Sequence, residues 1–178
     1  MAAEARELEE MLTRTRGRLF RAIEGVTEEQ FRRRPDADAA SWSIAEVLGH
    51  LLAYERMEGE RIGRALAEDG AAITPSPPAA HEEGARAGRR GPVPQIIHGL
   101  LGVRREIGRL VERAACLEGG FDRAVVHPVR GRDTIRWMVV EKVIDHEAEH
   151  AAQIEALRPA VGAPPVREEE GPSGTGRS

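Results

Sequence analysis

Apolar residues recur at Leu8, Met11, Leu12, Leu19, Ala22 and Ile23, mainly at three- and four-residue steps. That is the period of an amphipathic helix, predicted here over 3–24 and stopped by Gly25. Thr27-Glu28-Glu29-Gln30-Phe31 reads as a short capped turn of helix, and 35–40 as loop. A second helix starts behind Ser43-Ile44-Ala45-Glu46, a capping-box pattern in which Ser and Glu satisfy free amides reciprocally. Val47, His50, Leu51, Tyr54, Glu58, Ile62 and Ala65 then share one side, to about residue 68. Thr74-Pro75-Ser76-Pro77-Pro78 cannot be helix interior, because proline lacks the amide and clashes with the preceding turn. Residues 70–91 are therefore expected to form a long mobile connection, with room for a short helix at 80–87.

A third helix follows Pro92 and runs to about Cys116, with Ile97, Leu100, Leu101, Ile107, Val111 and Ala115 on its apolar face. Gly119-Gly120 ends it, and 121–132 reads as irregular or briefly extended. The fourth helix is expected over 133–157, its inward face being Ile135, Val139, Val143, His146, His150, Ile154 and Leu157, with Pro159 as the stop. Four helices of about 20 residues without a convincing alternating strand predict an all-α four-helix bundle. Residues 1–158 would form the bundle, and 159–178, rich in Gly, Pro and Glu, a disordered tail. The long connection between the second and third helices is compatible with an unusual bundle order.

Composition narrows the chemistry. The 178 residues are 40% hydrophobic and 31% charged, enough apolar content for one core. A single cysteine excludes a disulfide framework and a Cys-rich zinc module, so any metal site must use His and carboxylates. The net charge of −4 gives no overall attraction to nucleic acid. Arg86, Arg89 and Arg90 lack interleaved aromatics and read as a solvated run. No apolar run approaches the ~18 residues of a membrane span. The acidic N-terminus lacks the apolar region of a secretory signal, so the expected location is the cytoplasm.

The sharpest feature is His146-Glu147-Ala148-Glu149-His150 inside the fourth helix. Residues four apart lie one turn apart, so both imidazoles can reach one metal ion. Two histidines hydrogen-bonded within a core would give the same pattern. His50, also on an apolar face, is the candidate third ligand, and three histidines would leave coordination positions open for water or substrate. The same residues spell H-E-x-x-H, in which Glu147 would be the general base of a zinc protease. Gln153 and Ala156 stand where the extended motif needs Gly and His, and Glu155 and Glu168–Glu170 are poorly placed as a further ligand.

Trp42-Ser43-Ile44-Ala45-Glu46-Val47-Leu48-Gly49-His50-Leu51, followed about a hundred residues later by His146, His150, Gln153 and Ile154, resembles the DinB/YfiT-like superfamily of small bacterial metal-binding bundles. The resemblance covers about residues 5–158. It implies an up-down-down-up four-helix bundle holding a divalent metal, often zinc or nickel, on His50, His146 and His150. It also implies a stress-associated, often dimeric protein. Known activities in the family include thiol S-transfer with low-molecular-weight thiols such as bacillithiol and a mycothiol-dependent isomerisation.

The expected function is accordingly metal-dependent thiol S-transfer, with a small-molecule thiol as partner, no nucleic acid or membrane, and a homodimer. The alternatives are a non-catalytic metal-binding bundle and, behind both, the zinc protease. Three neutral imidazoles would leave a cation its full charge and favour a thiolate or hydroxide near neutral pH. Glu149, about 60° from His146 on the helical wheel, and Tyr54, one turn from His50, are the candidate catalytic groups. Gln153 is a further candidate beside them, while Glu46 and Asp145 read more simply as solvated or helix-pairing polar groups. Glu147 falls about 100° to the other flank. His81, His98 and His127, with Arg130 and Arg132, are expected to have ordinary roles, and Cys116 to be a small hydrophobe.

Overall fold

The computed structural model describes residues 2–35, 41–75 and 78–166. The expected loop at 36–40 and the tail from 167 onward lie outside the described residues. Helix α1 (Ala2–Ile23) and the single turn α2 (Glu28–Arg32) follow the predicted ranges. The Thr27 box is present, with Gln30 N donating to Thr27 Oγ1 and Thr27 N to Gln30 Oε1. Helix α3 (Ile44–Ala67) begins on the Ser43 capping box, in which Ser43 N donates to Glu46 Oε2 at 2.8 Å.

The connection after α3 departs from expectation. A two-residue strand β1 (Ala71–Ala72) is followed by a full helix, α4 (Pro78–Arg90), packed along α3. Gly84 and Gly88 are what lets the two backbones approach. A Cβ on Gly49 would lie 2.4 Å from Gly88 Cα, and one on Gly88 would lie 2.1 Å from Ala45 O. Only glycine permits such contact.

Helix α5 (Val93–Cys116) leads through a 3₁₀ turn (Gly120–Asp122) into a hairpin of β2 (Ala124–His127) and β3 (Gly131–Thr134). The hairpin pairs Ala124 with Thr134 through His127 with Gly131, and β1 joins β2 in parallel, Ala71 opposite Val125. The all-α expectation is corrected by this small sheet. Its strands are too short for an alternating pattern to show. Cys116 is exposed rather than packed as a small hydrophobe. The last rod starts at Ile135, not 133, on a Thr134 cap. It comprises α6 (Ile135–Trp137), a π-helical stretch (Met138–Asp145) and α7 (His146–Val161). Pro159 lies within its final turn, and Gly162, at φ 73°, ends it.

The core falls into two clusters. One joins Leu8 and Leu12 with Ile62 and Leu66, Ile107 and Val111, and Ile135, Val139 and Val143. The other joins Leu19 and Ile23 with Ile44 and Leu51, Val93 and Leu100, and Ala151, Ile154 and Val161. Between them lies a ring of buried charge to which each long helix contributes one residue. Arg16 of α1 meets Glu55 of α3 at 2.7 Å and Glu147 of α7 at 2.7 Å, and Arg104 of α5 meets the same carboxylates at 2.8 and 2.5 Å. Both glutamates are fully buried. Burial pushes the Glu147 carboxyl upward, against the pull of Arg104 and Arg16.

The fold thus moves Glu147 into the core stripe of the last rod (Ile144, Glu147, Ala151, Ile154, Arg158), leaving His146 and His150 at its border. Removing one member of a buried ion network strands the rest. Glu147→Ala is expected to lower unfolding free energy by about 3–5 kcal/mol, read by urea denaturation, where a protease base would leave stability intact. Gly88→Ala forces α4 off Ala45 and is expected to cost about 1–3 kcal/mol, read as a fall in Tm; an unchanged Tm would contradict the close crossing.

Candidate metal centre

Three imidazoles meet where α3 passes α7. His50 is buried, and His146 and His150 are half-buried. The Nε2 of His146 stands 3.4 Å from the Nε2 of His50 and 3.2 Å from that of His150. One ligand atom from each lies within 4.8 Å of the others. Nitrogens sharing a tetrahedral ion at 2.0–2.1 Å would be about 3.3–3.4 Å apart, so the spacing fits metal coordination.

The outer ring nitrogens support that fit. His150 Nδ1 donates to Gln153 Oε1 at 2.8 Å, and His50 Nδ1 to the His81 carbonyl at 3.4 Å. An oxygen acceptor requires the proton on Nδ1, so each Nε2 presents a bare lone pair. The lone pairs of His50 and His150 both face the His146 Nε2, an arrangement that a cation among the three nitrogens would satisfy. The Nδ1 of His146 is buried without a hydrogen-bond partner among the described residues. Its ring is instead fixed by stacking on Tyr54, centroids 3.9 Å apart at 25°. Trp42 packs 4.9 Å from His50.

The surrounding groups sort differently from the sequence expectations. Glu149 is exposed beside His150, and Asp145 is exposed in the π-helical stretch. Glu46 stays in its capping box and pairs with Arg34. Tyr54 borders the imidazoles directly, and burial together with Glu58 holds its hydroxyl protonated well above the usual range. Glu155 pairs with Arg18 of α1 at 2.8 Å, far from any role as a zinc ligand.

His81 received an ordinary role in the sequence reading, but it lies on α4 with its ring 5.4 Å from His50 and 5.8 Å from Tyr54. The clue was the four-residue spacing of Gly84 and Gly88, which marks a packed helix. His98 lines an open groove of about 610 Å³ between α3 and α5, remote from the imidazoles. His127 caps the hairpin turn, accepting from Val129 N and Arg130 N. Arg130 lies over Trp137, and Arg132 approaches Asp69. Two smaller cavities adjoin the centre, one of about 140 Å³ lined by His50, Tyr54 and His81, the other of about 250 Å³ reached past Tyr54 and His81.

Burial, followed by repulsion from the neighbouring His150, lowers His50 to about 4 and His146 to about 3. The unfolded chain takes up these protons near pH 6.5. Between about 6.5 and those folded values the unfolded state binds more protons, so stability of the metal-free protein is lost as pH falls. The urea midpoint in chelator is therefore expected to drop from pH 7 to pH 5, and His146→Gln to flatten that slope. A midpoint equal at both pH values would show that the imidazoles are not held neutral.

The profile of the DinB superfamily matches residues 11–154. No curated protein matches the chain. Among solved structures, YfiT from Bacillus subtilis superimposes with a TM-score of 0.73 over 90% of this chain and 89% of its own, at 20% identity. That protein is described as a probable metal-dependent hydrolase with an unusual four-helix bundle topology, and at this identity the likeness shows the fold. The three-histidine cluster and the span of the match agree: the chain belongs to the DinB superfamily.

Proposed function

We propose that this protein is a divalent-metal-dependent enzyme in which His50, His146 and His150 hold the ion, zinc or nickel, and a small thiol is transferred to an electrophile. The observation that carries it is the convergence of three Nε2 atoms with two of the outer nitrogens tied to oxygen acceptors. A cation held by neutral imidazoles supplies undiminished positive charge that favours the anion of a bound thiol or water. The reacting thiol arrives with the substrate in this reading, since the single cysteine, Cys116, lies at the end of α5. In the transfer the thiol sulfur bonds to the electrophilic carbon, the leaving group departs with its bonding pair, and the thiol proton is released.

The chain's own residues have defined parts in this reading. Tyr54 fixes the His146 ring by stacking and stays protonated, so it orients rather than accepts a proton. Glu149, exposed beside His150, is assigned in this reading to take the thiol proton. Water in place of the thiol would give a hydrolase, the activity suggested for YfiT. We also infer the up-down-down-up order. The start of α1 and the start of the last rod share one core cluster with the ends of α3 and α5. A non-catalytic metal-binding bundle is the second reading. It is favoured by the engagement of the buried carboxylates near the centre, Glu58 with Arg61 and Glu147 with Arg16 and Arg104.

Protein purified without a histidine tag is expected to carry one divalent ion per chain by elemental analysis. His50→Ala is expected to weaken its affinity at least about 10-fold, while unchanged metal content would remove the three-ligand site. Turnover of a thiol panel with 1-chloro-2,4-dinitrobenzene, above the uncatalysed rate and reduced by Glu149→Gln, would support transfer; tight thiol binding without turnover would favour the second reading.

A further inference from the structure

The cavity of about 250 Å³ beyond Tyr54 holds the chain's only lysine. Lys142 sits in the π-helical stretch, half-buried, its ammonium 5.0 Å from the Trp137 ring centroid. Among the described residues no carboxylate lies within ion-pair distance of it. The other charges on the wall cancel: Arg61 pairs with Glu58 at 2.6 Å and also donates to the Thr74 carbonyl. His127 adds a neutral donor, because its Nδ1 accepts from Val129 N at 3.2 Å and Arg130 N at 3.1 Å, which places the ring proton on Nε2. The cavity therefore carries one surplus positive charge and a free N–H. Ile73, Pro75 and the Trp137 face supply its apolar wall.

Lys142 shares the field of its nearest carboxylate, Glu58, with the Arg61 that is ion-paired to it, so two cations face one anion, and a ligand anion relieves the imbalance. One surplus charge, with Glu58 on the same wall, suits a monoanion better than a phosphate dianion. The Arg61 fork, which would favour a phosphate, is already engaged. The volume is below that of a whole drug-sized ligand, so it suits part of one.

We propose that this cavity seats the carboxylate arm of a small organic monoanion whose reacting group lies at the three-histidine centre. Lys142 is the counter-ion, His127 a second donor and Trp137 the apolar wall. Seating of the carboxylate stands on the cavity alone. The placement of the reacting group rests on the thiol reading above.

Two probes separate these parts. In cobalt-loaded protein, thiolate-to-metal absorption reports binding without turnover. N-acetylcysteine is expected to bind about tenfold tighter than its uncharged amide, and Lys142→Met to remove that advantage while leaving amide affinity within about twofold. Equal affinities, or equal weakening of both probes by the variant, would overturn the proposal. If neither probe produces the absorption, the thiol reading fails, and a second arm decides the anion site. In metal-free Trp42→Phe protein, where Trp137 is the sole tryptophan, sodium propionate is expected to change fluorescence saturably, and Lys142→Met to abolish the change. A response that does not saturate, or that survives the variant, would overturn it.

Discussion

Arg16, Glu55, Arg104 and Glu147 form a closed ring of ion pairs in the middle of an otherwise apolar bundle, with one member on each long helix. Each pair is satisfied only when all four helices stand at one axial register and one rotation. A slip of one residue on any helix would leave a charge buried without its partner. Hydrophobic contact alone tolerates such slips, because apolar side chains are interchangeable over short distances. The ring therefore contributes specificity more than net stability, since the cost of desolvating four charges offsets much of their attraction.

That register is what brings the imidazoles together. Glu147 is the immediate neighbour of His146, and Glu55 lies five residues after His50. Pinning the two glutamates to the same pair of arginines fixes how α7 faces α3 over the turns that carry the histidines. The π-helical stretch just before His146 changes the helical phase there. It puts Glu147 on the core axis and turns His146 and His150 toward Tyr54 and His50. The outer holds, Gln153 on His150, Tyr54 on His146 and the His81 carbonyl on His50, then orient each ring individually.

The long helices were legible in the sequence because their apolar period is sustained over many turns and their caps are chemically explicit, as at Ser43 and Glu46. The histidine cluster was legible because His146 and His150 lie one turn apart and His50 shares an apolar face, so the three side chains could be expected to meet. Helix α4 was legible only as room for a short helix at 80–87, because prolines precede it and a glycine serving close approach looks the same as one serving as a breaker. The strands of the sheet have at most four residues, too few for alternation to register. The role of Glu147 was obscured because a wheel with a fixed 100° step fails across a π-helical stretch, and because its partners lie on α1 and α5, more than 40 residues away in sequence.

The three-stranded sheet has a mechanical consequence for the cavity beside the centre. Ile73 N donates to Val126 O at 2.8 Å, so the chain leaving β1 and the strand carrying His127 move as one piece. One side of the cavity is thus framed by backbone hydrogen bonds that do not depend on which side chains occupy it. Replacing Ile73 would change what the chamber accepts while leaving its outline standing. Selectivity and architecture are separable in this part of the molecule, which is the condition under which one scaffold can be turned to many ligands.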